Sequence, residues 1–375
     1  MPNNSFIIFY RIFSFLFAIS LLISITNKNL VAIGNSIKFD SITSNIEEYQ
    51  DSIPILDTIS LKMSDKKINP IDFKFANFPR YTMTGELPNL ETKMKLKETL
   101  LIGGSLALIL GGQHYMQTQT IYKDRSNFRF IEDGSYAFYS DKGGHLFGAY
   151  FGGYIFSESF MTMGMSKKTA GLWGSFLGLG YETYIEIMDG FGSNWGFSWS
   201  DYAFNLMGFS LFFGQNYVDE LQYFVPKFMY FPSRWNGETN RIPSDIFVDD
   251  YSSQTIWLSI NVYGLLPKEV DFYWPKWLNI SLGYAVRNLN EVCVIEDPEQ
   301  RSLAKVGKLS LDGCNYGNPK YILALDYNLV ELFPKTDIAF LNWLIQTANY
   351  IKWPAPAIEF GQETKFMLLY PFIEF

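Results

Sequence analysis

Apolar positions along the chain follow two different periods, and the change between them divides it. From Leu96 to Gly214 they recur at helical spacing. The stretches Leu96–Gln113, Gly143–Met163, Lys167–Met188 and Ser200–Gly214 each read as a helix carrying very few charges. A span such as 143–163 covers roughly 30 Å, the thickness of a bilayer's hydrocarbon core. Small residues recur every four positions: Gly144, Gly148 and Gly152 beside His145, Ala149, Gly153 and Ser157, then Ala170, Gly174 and Gly178. Such rows let helix backbones come close. From Thr255 onward alternation takes over. Ile256, Leu258, Ile260 and Val262 oppose Trp257, Ser259, Asn261 and Tyr263, and Trp277–Arg287 and Tyr321–Val330 repeat the pattern. Further strands are expected at 223–230, 357–361 and 365–375, with a short helix or loop at 339–351.

The fold class expected from this pattern is α+β: a membrane-type bundle of about four helices followed by an antiparallel β-sheet, with a partial outer-membrane barrel as the sheet's lipid-facing form. Residues 1–32 read as a signal peptide or anchor, with Arg11 before an apolar run and cleavage near Ala32. Residues 33–94, broken by Pro54, Pro70, Pro79 and Pro88, read as an extended periplasmic segment. The helical bundle then occupies 95–220 and the β region 221–375.

The polar residues of the bundle are few and collect at one end. The small row Ala170–Gly174–Gly178 runs on by fours to Glu182 and Glu186, and Asp189 follows. Short connections favour antiparallel neighbours, which brings the start of the first long helix, the end of the second and the start of the third together. His145, Glu182, Glu186, Asp189, Asp201 and Asn205 then converge, with Asp141 and Lys142 beside them. Two carboxylates one turn apart on an apolar helix must share a proton, pair with a cation or face water. In a catalytic reading His145 is a general base or metal ligand, Glu186 and Asp189 are acid/base or ligand groups, and Asp201 orients. Asp141, Lys142, Glu182 and Asn205 are binding groups. No cofactor is identified; one histidine among carboxylates suits magnesium, manganese or iron better than structural zinc. No serine or cysteine nucleophile stands in a motif, so a structural or binding role leads. A hydrolase or transferase acting on an envelope lipid or glycan is the alternative. Glu158 reads as a lone interface or snorkelling residue, and His114 as a helix-end residue.

These residues also carry a resemblance. Asp141-Lys142-x-x-His145, Glu186-x-x-Asp189-Gly190-Phe191, Trp195-Gly196-Phe197-Ser198 and Asp201-x-x-x-Asn205-x-x-Gly208 resemble the YfiM-like envelope proteins, small lipoproteins of unknown function distantly similar to VanZ-like membrane proteins. Asp250-Tyr251-x-x-Gln254-Thr255-x-Trp257-Leu258-Ser259 and Trp274-Pro275-x-x-Leu278-Asn279-Ile280-Ser281-x-Gly283-Tyr284 resemble a C-terminal extension found in one bacterial branch. The resemblance implies an envelope location, with the outer membrane facing the periplasm as the expected site and the inner membrane as the alternative. Unlike the short members, the sequence has no lipobox cysteine near its N-terminus.

Composition narrows the partners. Aromatic and charged residues each make up 18% of the 375 residues, a balance that suits contact with membrane lipid. A net charge of −8 and the absence of a basic patch argue against nucleic acid, leaving lipid, an envelope glycan or a protein as partner. No Walker loop, dinucleotide fingerprint or Cys/His zinc spacing occurs. Cys293 and Cys314 share one expected loop, and an oxidising periplasm would let them pair.

Overall fold

The computed structural model describes residues 66–232, 250–289, 316–361 and 363–375. The expected signal segment and the Cys293–Cys314 pair lie outside the described residues. A small hairpin, β1 (Lys74–Phe75) and β2 (Phe78–Pro79), precedes helix α1 (Leu96–Gln119). Strand β3 (Phe130–Ile131) leads into α2 (Ser140–Thr162) and α3 (Lys167–Gly190), and β4 (Phe197–Ser198) into α4 (Trp199–Gln215). Then come β5 (Phe224–Tyr230), β6 (Gln254–Ile260), α5 (Val262–Leu265), β7 (Leu278–Leu289) and β8 (Tyr316–Tyr327). The chain finishes with α6 (Leu329–Leu332), α7 (Ala339–Ala348), β9 (Ala357–Phe360), β10 (Thr364–Leu369) and β11 (Ile373–Glu374).

The expected membrane-type bundle is overturned. None of the seven helices among the described residues is long and apolar enough to cross a membrane. The apolar rows of α2 are broken at every turn by glycine, tyrosine or serine, and Asp141, Lys142 and Glu158 lie buried within it. Among the described residues the β region is a seven-stranded antiparallel sheet in the order β11-β10-β9-β8-β7-β6-β5. The segment before β9 returns to the far edge: Phe228 donates to the Tyr350 carbonyl and accepts from Lys352 N–H, both at 2.9 Å. The sheet therefore curls, and one of its faces is enclosed.

Glycine explains how α2, α3 and α4 pack. A Cβ on Gly174 would lie 2.6 Å from Ser157 N, and one on Gly178 2.5 Å from Gly153 N. These contacts pair 174 with 157 and 178 with 153, so α2 and α3 run antiparallel at backbone contact. Gly208 of α4 meets the Leu146 carbonyl of α2 in the same way. Ser166 caps α3 by accepting from Thr169 N–H, and Ser198 caps α4 by accepting from Asp201 N–H. Helix α1 stands apart. Only its Gln117 is buried, while Leu100 and Leu108 are exposed.

The helical layer covers part of the sheet's outer face. Phe147 of α2 stacks on Phe228 of β5 with ring centroids 5.4 Å apart, and Gly143 abuts Ile256 of β6. Residues 66–94 are tied to α2 by a buried ion pair, Arg80 Nη2 to Glu158 Oε1 at 2.6 Å. Glu158, expected as a lone interface residue, is therefore the anchor of the N-terminal hairpin.

Candidate functional site

Three pieces of local structure bring the polar residues together. The parallel pairing of Ile131 with Ser198 sets Asp133 beside the start of α4. A turn of left-handed residues, Ala137, Phe138 and Tyr139, then swings the chain into α2. Left-handed backbone at three consecutive non-glycine residues is costly and persists only where surroundings enforce it. Here the Tyr284 hydroxyl on β7 donates to the Phe138 carbonyl. The turn places Lys142, fully buried, against Asp133.

Lys142 is the hub. Its ammonium lies 2.8 Å from Asp133 Oδ1, 2.8 Å from Asp141 Oδ2, and in contact with Asp201 Oδ1. Burial would lower its pKa, but Asp141, Asp201 and Asp133 together hold it above the ordinary lysine value. Ser198 forms a second node. Its hydroxyl donates to Asp133 Oδ1 at 2.6 Å and its N–H to Glu186 Oε2 at 3.1 Å. Tyr251, just before β6, donates to Asp141 Oδ1 at 2.7 Å and fastens the cluster to the sheet.

His145 sits between the two carboxylate groups. Its Nδ1 is 3.2 Å from Asn205 Oδ1, 3.5 Å from Glu186 Oε1 and 3.7 Å from Glu182 Oε2. Its Nε2 faces Asp141 Oδ1 at 3.6 Å and Asp201 Oδ1 at 3.8 Å. Burial would lower the imidazole pKa, but the charge of Asp141, with Glu182 and Asp201, raises it well above the usual value. Asp141 is held low because His145 and Lys142 outweigh its burial. Burial pushes Asp201 up to about 7, with Asp141 adding, and pushes Glu186 up to about 8. The cluster thus holds protons that free carboxylates would lose at neutral pH.

Among the expected site residues, His145, Glu182, Glu186, Asp201, Asn205, Asp141 and Lys142 meet. Asp189 points elsewhere, hydrogen-bonded to Tyr122 near the end of α1. Sequence reasoning missed Asp133 and quoted Ser198 and Tyr251 only as motif residues, without a place in the site. Asp133 lies in a stretch with no periodicity, and Tyr251 is remote in sequence from the helices it touches. His114 bonds the Tyr184 hydroxyl and takes no part in the cluster. Asp141, His145 and Asp201 each offer one ligand atom to a metal, all within 4.8 Å of one another. The Ser198 hydroxyl is committed to Asp133 and to capping α4, and Lys142 is saturated by carboxylates.

A family described as a predicted periplasmic lipoprotein (DUF2279) matches residues 129–214. That span runs from β3 to the end of α4 and holds every cluster residue except Tyr251. It supports an envelope-associated protein. No curated protein and no solved structure matches the chain.

Proposed function

We propose that this protein is a non-catalytic scaffold of the cell envelope that rests on a lipid surface through the uncovered part of its sheet. One observation carries the reading: part of the sheet's outer face is apolar and uncovered. Cross-strand partners Leu258, Leu282, Leu323, Ile358 and Phe366 form one apolar row across five strands. Phe228, Ile256, Tyr284, Tyr321 and Phe360 form the next. The enclosed face has its own apolar core, which includes Met229, Trp257, Ala285 and Ile322, beside the nearly inaccessible Lys227, Ser259, Ser281 and Asp326. Helix α2 covers the β5–β6 end of the apolar face, while Leu282, Leu323, Phe366 and Leu368 stay 40–56% exposed. Contiguous apolar surface on this scale marks an interaction site, and hydrocarbon needs no matching polar groups on a partner. On this reading the protein lies against the membrane rather than crossing it, and the ionic cluster is the pin that holds helices to sheet. The YfiM-like motifs around His145 and Asn205 fit the same reading, since most of them form the pin.

The test is flotation with vesicles of phosphatidylethanolamine and phosphatidylglycerol. Wild type is expected to float with them, and Leu323→Asp/Phe366→Asp to remain at the bottom with an unchanged melting temperature. A wild type that stays at the bottom refutes the lipid reading and leaves a glycan or protein as the partner. Separation of the two envelope membranes then identifies which one carries the protein.

A further inference from the structure

We propose that Asp141, His145 and Asp201 form a three-ligand site for one divalent transition cation, of the manganese or iron class, inside the cluster. The proposal deepens the reading of the cluster as a pin, on which it rests, by naming what completes it.

The first argument is geometric. His145 Nε2 lies 3.6 Å from Asp141 Oδ1 and 3.8 Å from Asp201 Oδ1, beyond hydrogen-bonding reach of either. The three atoms lie within 4.8 Å of one another. A point equidistant from them is about 2.1–2.4 Å from each, the distance divalent cations keep from imidazole nitrogen and carboxylate oxygen. An imidazole edge facing two carboxylate oxygens at that spacing leaves a gap of cation size.

The second argument is the other ring nitrogen. Asn205 is fully buried, and its Oδ1 lies 3.2 Å from His145 Nδ1. With a cation bound, such an acceptor would keep the proton on Nδ1 and leave the Nε2 lone pair facing Asp141 and Asp201, as an outer partner does for a metal-ligating histidine.

The third is unmet polarity. Glu186 is 1% exposed, and its Oε1 takes no hydrogen bond although it sits 3.5 Å from His145 Nδ1. Asp133, Asp141, Asp201, Glu182 and Glu186 together face one lysine and one histidine. A divalent cation would balance carboxylates that otherwise have to keep protons. Lys142 contacts Asp133 Oδ1, Asp141 Oδ2 and Asp201 Oδ1, and Tyr251 donates to Asp141 Oδ1, so the cation would share its two ligand oxygens with these donors. One imidazole with carboxylate oxygens favours manganese or iron over the thiolate-rich sites of structural zinc.

The experiment uses the full chain, stripped with chelator and titrated with Mn2+. Isothermal titration is expected to show one saturable equivalent, and pulsed electron paramagnetic resonance a nitrogen coupling from an imidazole. His145→Gln and Asp201→Asn should each weaken binding at least 10-fold, and Asn205→Ala, a positioning residue, about 10-fold with the nitrogen coupling altered. Asp189→Asn should bind as wild type does. Absence of saturable binding by the wild type up to about 1 mM Mn2+, or bound Mn2+ without nitrogen coupling, overturns the site. The wild-type spectrum decides the matter even if the substitutions prevent folding. Vesicle flotation of the stripped protein is read separately, so loss of the metal site and loss of the lipid reading are distinguishable.

Discussion

Replacing Lys142 by methionine tests whether the cluster is the pin of the fold. The lysine side chain is 1% exposed and touches the carboxylates of Asp133, Asp141 and Asp201. Methionine keeps most of the volume and removes the charge, leaving those carboxylates facing one another in a water-poor site. Breaking a buried ion pair from one side costs about 3–5 kcal/mol, since the stranded charge loses both water and partner. Against a total stability of about 5–15 kcal/mol, that is a large fraction. The contrasting pair is Lys365–Glu374, at 2.9 Å but 35% and 47% exposed, where solvent screens the charges and the loss is below about 1 kcal/mol. Urea unfolding in chelator, followed by circular dichroism, is the assay. Lys142→Met should shift the midpoint strongly and Lys365→Met hardly at all. Adding Asp201→Asn to Lys142→Met removes one stranded charge and should recover part of the loss. If Lys142→Met unfolds within about 1 kcal/mol of wild type, the cluster does not hold the fold together.

Three other outcomes follow from the packing. Arg80→Met strands the buried carboxylate of Glu158 and frees the N-terminal hairpin from α2; a cost near 3 kcal/mol is expected, with limited proteolysis cutting first within 66–94. Gly178→Leu forces a side chain into the α2 backbone at Gly153 and should abolish cooperative unfolding, whereas Gly104→Leu, with open space around it on α1, should not. Burial and the nearby Lys227 lower Lys352 to about 8, while Asp326 opposes. Its folded pKa is below the unfolded value of 10.5, so the penalty is full below pH 8 and is relieved as pH rises toward 10.5. Wild type should therefore gain on Lys352→Met between pH 8 and 10, by up to about 3 kcal/mol; a flat difference curve contradicts the assignment.

Much of the site could be read from spacing alone. Glycines at intervals of four specify which faces of α2 and α3 meet, and the same rows continued lead to Glu182 and Glu186. What spacing could not give was any partner supplied from outside the periodic stretches. Asp133 arrives through a two-residue parallel pairing and a left-handed turn, neither of which has a sequence period. Arg80 and Glu158 are 78 positions apart, and nothing local in either predicts the other. The membrane-type bundle failed for a related reason. Low charge and glycine rows are equally suited to helices that bury themselves against one another and against a sheet. Hydropathy counts apolar residues without saying what covers them. Strand alternation was plain, but which of its faces would be enclosed was not, because both faces carry large apolar side chains.

The contact between Phe228 and the 350–352 segment has a consequence for the order in which the molecule assembles. Apart from Tyr251, every cluster residue lies between 133 and 205, so that part of the fold is complete well before the end of a chain made from its N-terminus. The return to β5 must wait for residues more than a hundred positions later. During that interval β5 has a bare edge and its greasy side is uncovered beyond α2, the circumstance in which nascent proteins engage chaperones or misassociate. A stop codon placed before residue 350 should yield a species with its ionic knot tied and its strands open, prone to joining with its own kind.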